Sequence, residues 1–219
     1  MARILVTGAG RGIGNALITE GVRRGHTMVA SVRSPTEMAD GVTMLQFDVT
    51  DRAAVNAAAD QLAGPLDVLI NNAGVIGPDR QAPLDMDFEG FADTLAINTI
   101  APLAVTHAFL PNLRMAAAPL VAMISSQMGR LAYQKSDRIA YRASKAALNK
   151  VMQGLATDLR GENICVRSLD PGWARTDMGG GEADISPAQS ASGLMDIIEA
   201  STMDDTGSFV NYAGETIPW

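Results

Sequence analysis

At 219 residues the chain fits one α/β domain with an ample core, and no long tail or linker remains for a second. A net charge of −7 and a pI near 4.8 argue against a nucleic-acid footprint or a polybasic membrane surface. The single cysteine, Cys165, cannot form an internal disulfide, and its setting in Ile164-Cys165-Val166 reads as strand core rather than a reactive thiol. No leader pattern opens the chain and no apolar run approaches a membrane span, so a cytoplasmic protein is expected.

Apolar runs predict strands at about 3–6, 27–32, 44–47, 67–71, 119–124, 164–169 and 208–211. Helical patterns fall between them at about 12–25, 51–63, 88–115, 141–160 and 187–200. Near-continuous apolar strands such as Leu120-Val121-Ala122-Met123-Ile124 indicate a parallel sheet covered on both faces. That pattern predicts a single doubly wound (Rossmann) α/β domain of seven strands, with ligands at the carboxyl ends of the strands. The polar residues of interest follow strands in turn: the glycine loop, Arg33, Asp48, Asn71, Ser126 and Pro171. This shared placement puts them in one cleft. Ser186-Pro187 reads as an N-cap with proline at the first helical position.

Arg3-Ile4-Leu5-Val6 is followed by Thr7-Gly8-Ala9-Gly10-Arg11-Gly12-Ile13-Gly14 and then by a helical pattern of Ile13, Leu17, Ile18 and Val22. A strand, a glycine-rich turn and a helix start make an anion site, because backbone N–H groups and the helix dipole face a phosphate. An NAD site in this fold usually carries an acid about 20 residues past the loop. Ser31-Val32-Arg33-Ser34 has none. A guanidinium binds a 2′-phosphate that a carboxylate would repel. Arg33, with Arg11 as a second cation, therefore predicts NADP(H), with NAD(H) as the alternative.

Tyr141 and Lys145 lie four apart in a helical stretch, on one face and one turn apart. A cation about 4 Å from a phenol, at an effective dielectric of about 20, favours the phenolate by roughly 4 kcal/mol, an upper limit of about three pKa units. Such a tyrosine would serve as an acid toward a developing alkoxide. His26 and His107 stand apart from these motifs and no metal-ligand cluster appears, so no metal chemistry is expected. The small-residue faces of helices 88–115 and 141–160 predict a homodimer or homotetramer.

Together with Asn71-Asn72-Ala73-Gly74, Asn98 and Ser126, these residues resemble the short-chain dehydrogenase/reductase family, single-domain branch, essentially end to end. The segment from Tyr141 to Asn149 and the closing Ile217-Pro218-Trp219 are more like its C-factor-like and sniffer-type carbonyl reductase branch. The resemblance implies a catalytic set of Asn98, Ser126, Tyr141 and Lys145, in which Asn98 holds a water in a relay to Lys145. Ser126 would donate to the substrate oxygen, with Ser125 as the alternative, and Lys145 would also bind the nicotinamide ribose.

Asp48, before Val49, resembles the family's adenine-contacting acid; capping of the next helix is the alternative reading. Asn72, Ala73 and Gly74 would line the cofactor site, although strand-to-helix ties are equally open to Asn71 and Asn72. Pro171, Gly172, Trp173 and Thr176 match the nicotinamide-side turn. Met178–Asp184 reads as a short flexible lid, and Trp173, Met178, Gln127, Met128 and Tyr133 as pocket lining. The expected activity is NADP-dependent interconversion of a small-molecule carbonyl and alcohol. A cofactor-binding signalling or regulatory protein with vestigial catalysis is the rival.

Overall fold

Parallel strands buried on both faces need apolar residues at every position, and the sheet is built from such runs. The computed structural model, describing residues 1–219, contains β1 (Arg3–Val6), β2 (Thr27–Val32), β3 (Thr43–Gln46) and β4 (Val68–Asn71). After a hairpin of β5 (Gln81–Ala82) and β6 (Asp85–Met86) come β7 (Leu120–Ile124), β8 (Cys165–Asp170) and β9 (Phe209–Asn211). The seven-stranded sheet has the order β3-β2-β1-β4-β7-β8-β9 and is parallel throughout. The helices are α1 (Gly12–Arg23), α2 (Arg52–Gln61), α3 (Phe88–Leu95), α4 (Ala101–Leu113), α5 (Ile139–Asp158) and α6 (Pro187–Ala200).

Successive strand residues feed two cores on opposite faces. Leu5, Val29, Leu69, Val121, Met123 and Val166 meet α2, α4 and α5. Ile4, Val6, Met28, Ile70, Ala122 and Ile124 meet α1 and α6. Each predicted strand and helix is present, with ends displaced by no more than two residues. The capping box at Ser186 and Gln189 starts α6 where the Ser-Pro pair predicts it.

Two expectations need correction. The predicted helix 88–115 is interrupted by a π turn at Ala96–Ile100, between α3 and α4. The run Phe88–Leu113 is also long and apolar enough to span a membrane, at 26 residues and mean hydropathy 1.3. Here that apolarity belongs to the core, through Val105, Phe109 and Leu113. Its buried amide Asn112 donates to the Leu62 and Gly64 carbonyls, and its Thr106 accepts from Asn71.

On the other face one guanidinium clamps α1 to α6. Arg24 donates to Glu20, Asp196, Glu199 and the Ser192 carbonyl. Hydrogen bonding from Arg23, joined by that from Arg24, outweighs burial and holds the Glu20 carboxyl down at about 2. A depressed folded-state pKa gives stability that is present above the unfolded value and lost as pH falls through the folded one. Glu20→Gln is therefore expected to be less stable than the parent at pH 7, with the gap closing between about pH 4.5 and 2. Urea melts at stepped pH check this; a gap independent of pH contradicts it.

Candidate active site

The glycine loop joins β1 to α1. Side chains of Asp51, Asp87 and Ser186 cap α2, α3 and α6, whereas Arg11 at the start of α1 supplies no side-chain cap. The first-turn N–H groups of α1 are thus left for an external acceptor, at the positive end of the helix dipole. This uncapped start fits a cofactor pyrophosphate. The loop is strapped to the turn after β4. Asn72 donates to the Thr7 and Gly8 carbonyls, while the Thr7 hydroxyl accepts from the Asn72 and Ala73 N–H groups. A Cβ on Gly14 would lie 2.3 Å from the Gly8 carbonyl oxygen and 2.6 Å from Asn72 Nδ2. Glycine is required there by this internal contact.

A cleft of about 510 Å³ opens at the carboxyl ends of the strands. Its wall takes in Gly8, Gly10–Gly14, Arg33, Asp48, Val49, Asn72–Gly74, Tyr141, Lys145, Pro171 and Thr176. Thr7, Asn98, Ser126, Gly172 and Trp173 are not part of that wall. The two expected cations are separated. Arg33 stands at the β2 end with Asp48, whose carboxyl is lowered chiefly by the Thr50 hydroxyl and N–H and slightly by Arg33. Arg11 instead pairs with Asp177 at 2.9 Å. That pair is largely exposed and worth little. Of the two, Arg33 is thus the cleft cation that no salt bridge engages. Asp48 joins the cleft wall and also makes a local turn with Thr50, while Asp51 caps α2.

The two serines after β7 are distinguished by their partners. Ser125 directs its hydroxyl to Asn149 at 2.6 Å, whereas the Ser126 hydroxyl accepts from the Met128 N–H at 3.1 Å and is near enough to the Tyr141 phenol to lower it. Asn71 ties β4 to α4 through Thr106, the structural role open to it in the sequence. The Asn98 amide accepts from the Val75 N–H and donates to the Val75 carbonyl and the Ser144 hydroxyl. These bonds position the segment after Gly74 and occupy both amide hydrogens and one of the two lone pairs of the amide oxygen.

Lys145 is buried and donates to the Ile124 carbonyl at 2.8 Å, with its ammonium 5.7 Å from the Tyr141 ring centroid. The lowered phenol expected from the Tyr–Lys spacing is reversed. Burial, with Asp170 second, pushes the Tyr141 phenol up to about 12, against the Ser126 hydrogen bond and Arg138. Burial also draws Lys145 down to about 8, with Asp170 opposing. A Coulomb estimate from spacing omits the cost of taking both charged forms out of water. Asp170, at the end of β8, was missed because it reads as the first residue of an Asp-Pro-Gly turn. Burial pushes its carboxyl up to about 6, against hydrogen bonds from the Gly172 and Gln127 N–H groups and the Lys145 charge.

The segment expected to be a flexible lid is braced by its own backbone. Trp173 Nε1 donates to the Gly179 carbonyl, Gly180 N–H to Thr176, and Arg175 to the Ala183 carbonyl. Trp173 is therefore tied to this loop rather than set in the cleft, while Met178 does line it. Tyr133, in the stretch between Ser126 and α5, lies outside the wall with Arg130 over its ring at 5.1 Å. Gln127 and Met128 form a 3₁₀ turn beside the cleft. One further contact was absent from the sequence reading: Gln81 of the hairpin accepts from the Tyr141 N–H and so fixes the start of α5.

A family model described as short chain dehydrogenase matches residues 2–185. The C-signal protein of Myxococcus xanthus is 43% identical over 163 residues, spanning 74% of this chain and 98% of that protein. Carbonyl reductase Sniffer of D. melanogaster superposes with a TM-score of 0.95 at 27% identity, covering 100% of both chains. NADPH-bound carbonyl reductase from chicken fatty liver does so with a TM-score of 0.92 at 28% identity, covering 100% of this chain and 99% of that one.

The strap around the glycine loop is tested by Gly14→Ala, whose methyl meets backbone and a held amide. It should cost about 1–3 kcal/mol, the scale of overpacking. Gly154→Ala, on an exposed helix position with nothing within 4 Å, should stabilise by about 0.4–1 kcal/mol. Chemical denaturation of both variants decides; a neutral Gly14→Ala contradicts the strap.

Proposed function

The chain belongs to the short-chain dehydrogenase family, in its C-signal- and sniffer-like branch, and from that membership we propose an NADP(H)-dependent oxidoreductase interconverting a carbonyl and an alcohol. The observation that carries this reading is a buried Tyr141 with the Lys145 ammonium 5.7 Å from its ring, both lining a cleft that runs to the glycine loop. The first turn of α1 and Arg33 are the groups that would hold the dinucleotide. When bound, the cofactor supplies a hydride at its nicotinamide.

The residues of the chain handle the oxygen and its proton. Ser126 and Tyr141 donate hydrogen bonds to a substrate carbonyl oxygen and polarise it. Tyr141 then gives its proton to the oxygen as negative charge develops there, acting as the general acid. Lys145, fixed by the Ile124 carbonyl, stabilises the phenolate left behind. In the oxidative direction the same groups act in reverse. The similarity to C-signal supports a second reading, a signalling protein that keeps the cofactor site. A binding module has no need of a buried ammonium beside a buried phenol, and for that reason the enzyme reading is preferred.

Tyr141→Phe removes one oxygen from a well-packed ring, so folding and NADPH binding should survive. NADPH oxidation with a panel of reactive carbonyls should fall by about 10²-fold or more, the scale of losing a positioned acid. Turnover at the parent rate would place the proton donor elsewhere.

Arg33→Asp replaces the charge-assisted contact with repulsion. Fluorescence titration at fixed salt should show NADPH weakened at least about tenfold more than NADH, roughly the 1.4 kcal/mol minimum of one lost charged hydrogen bond. Equal weakening of the two would remove Arg33 from the 2′-phosphate.

A further inference from the structure

Ser125 lines the cleft, yet its one proton is directed inward, to Asn149 Oδ1 at 2.6 Å. Ser125 is 1% and Asn149 5% exposed, and the residues beside them on β7 and α5, Met123, Leu148 and Met152, are core. A neutral hydrogen-bonded pair in such a place contributes little net stability, because two apolar groups of the same shape would pack there at little or no loss. What it supplies is a fixed geometry. Tyr141, Lys145 and Asn149 recur every four residues along one side of α5. The last two grip consecutive residues at the end of β7. Lys145 donates to the Ile124 carbonyl at 2.8 Å, and one turn further on Asn149 accepts from the Ser125 hydroxyl. Beyond Ser126 the chain returns to the same helix. Gly129 lies so close to it that a Cβ would stand 2.8 Å from the Lys145 carbonyl carbon, and its N–H donates to the Ser126 carbonyl at 2.9 Å. Ser126 is therefore suspended between two anchors on α5, the helix that carries Tyr141.

We propose that Asn149 is a positioning residue, whose bond to Ser125 sets the end of β7 against α5 so that Ser126 and Tyr141 converge on one substrate oxygen. The backbone N–H of Ser125 is held by the Leu169 carbonyl of the neighbouring strand, which fixes it in the sheet and not against the helix. Two polar ties run from α5 to the end of β7, through Lys145 and through Asn149. The lysine tie ends a flexible four-carbon stem and can swing with it. Asn149 has the shorter side chain and is the stiffer of the two. The catalytic consequence rests on the oxidoreductase reading above; the clamp on the β7 end does not.

The double variant Ser125→Ala/Asn149→Leu removes donor and acceptor together, so chemical denaturation should find it about as stable as the parent. Its kcat for carbonyl reduction should nonetheless fall about tenfold or more, toward the roughly 10²-fold cost of a 1 Å misplacement. NADPH affinity, read by fluorescence titration, should be retained. Asn149→Leu alone leaves the Ser125 proton buried without an acceptor and should lose stability and turnover together. A role in folding alone would instead return turnover along with stability in the double variant. Amide hydrogen exchange at Gly129, whose N–H is bonded to the Ser126 carbonyl, reads the same loosening without any turnover and should quicken about tenfold. Ser125→Ala gives the same two readouts should the double variant not fold. Parent kcat, or unchanged exchange at Gly129, in the folded variant overturns the proposal. Faster exchange in a protein that reduces no carbonyl supports Asn149 as assigned and counts only against the oxidoreductase reading.

Discussion

A lysine ammonium removed from water at the carboxyl end of a parallel sheet is the constraint around which the site is arranged. Burying such a charge is costly, and a buried lysine responds by giving up its proton more readily. Here the cost is met only in part, by the Ile124 carbonyl in contact. The ammonium stands where it does because α5 packs across β7 and β8, with Leu148 and Met152 in the core beneath it. The same helix face carries Tyr141 and Ser144. Lys145 thus inherits its position from packing and its unsettled charge from burial.

The surrounding elements hold this arrangement rigid. Gln81 from the hairpin meets the Tyr141 N–H, and Asn98 from the π turn joins Ser144 to the Val75 backbone. A π turn stores an extra residue in a helix and is often found at functional sites. In this chain it sets a buried amide between α5 and the segment after Gly74. Three residues before Val75, Asn72 holds the glycine loop. The backbone from Asn72 to Val75 is thereby held at one end against the glycine loop and at the other, through Asn98, against α5. Partly satisfied networks of this kind are costly, and three buried side-chain atoms, Asn71 Oδ1, Arg130 Nε and Ser168 Oγ, have no partner.

Much of this was legible from residues. Continuous apolar runs gave away the buried strands, and the Ser-Pro and Gly-rich signals marked the starts of α6 and α1. Tyr141 and Lys145 share a helix face by local spacing, whereas the choice of Ser126 over Ser125 came from the family resemblance. What escaped depends on contacts far apart in the chain or on burial. Arg11 meets Asp177 across the cleft mouth, a partner no local pattern names. The hairpin strands are two residues each, too short for a periodic signal. The π turn leaves the helical pattern almost unchanged. The sign of the phenol's shift was misread because spacing carries the Coulomb attraction but not the desolvation that opposes it. Asp170 was passed over for the same reason, since a carboxylate before Pro-Gly is ordinary unless it is buried.

The central claim is that this cleft places a carbonyl carbon to receive a hydride while Tyr141 protonates its oxygen. The direct measurement is isotopic: incubate the protein with a responsive ketone and with NADPH deuterated stereospecifically at C4, separately on each face, and analyse the alcohol by mass spectrometry. The account predicts one deuterium on the carbinol carbon from one labelled face and none from the other. Alcohol that forms without deuterium from either face, or no alcohol from any carbonyl tried, would contradict it.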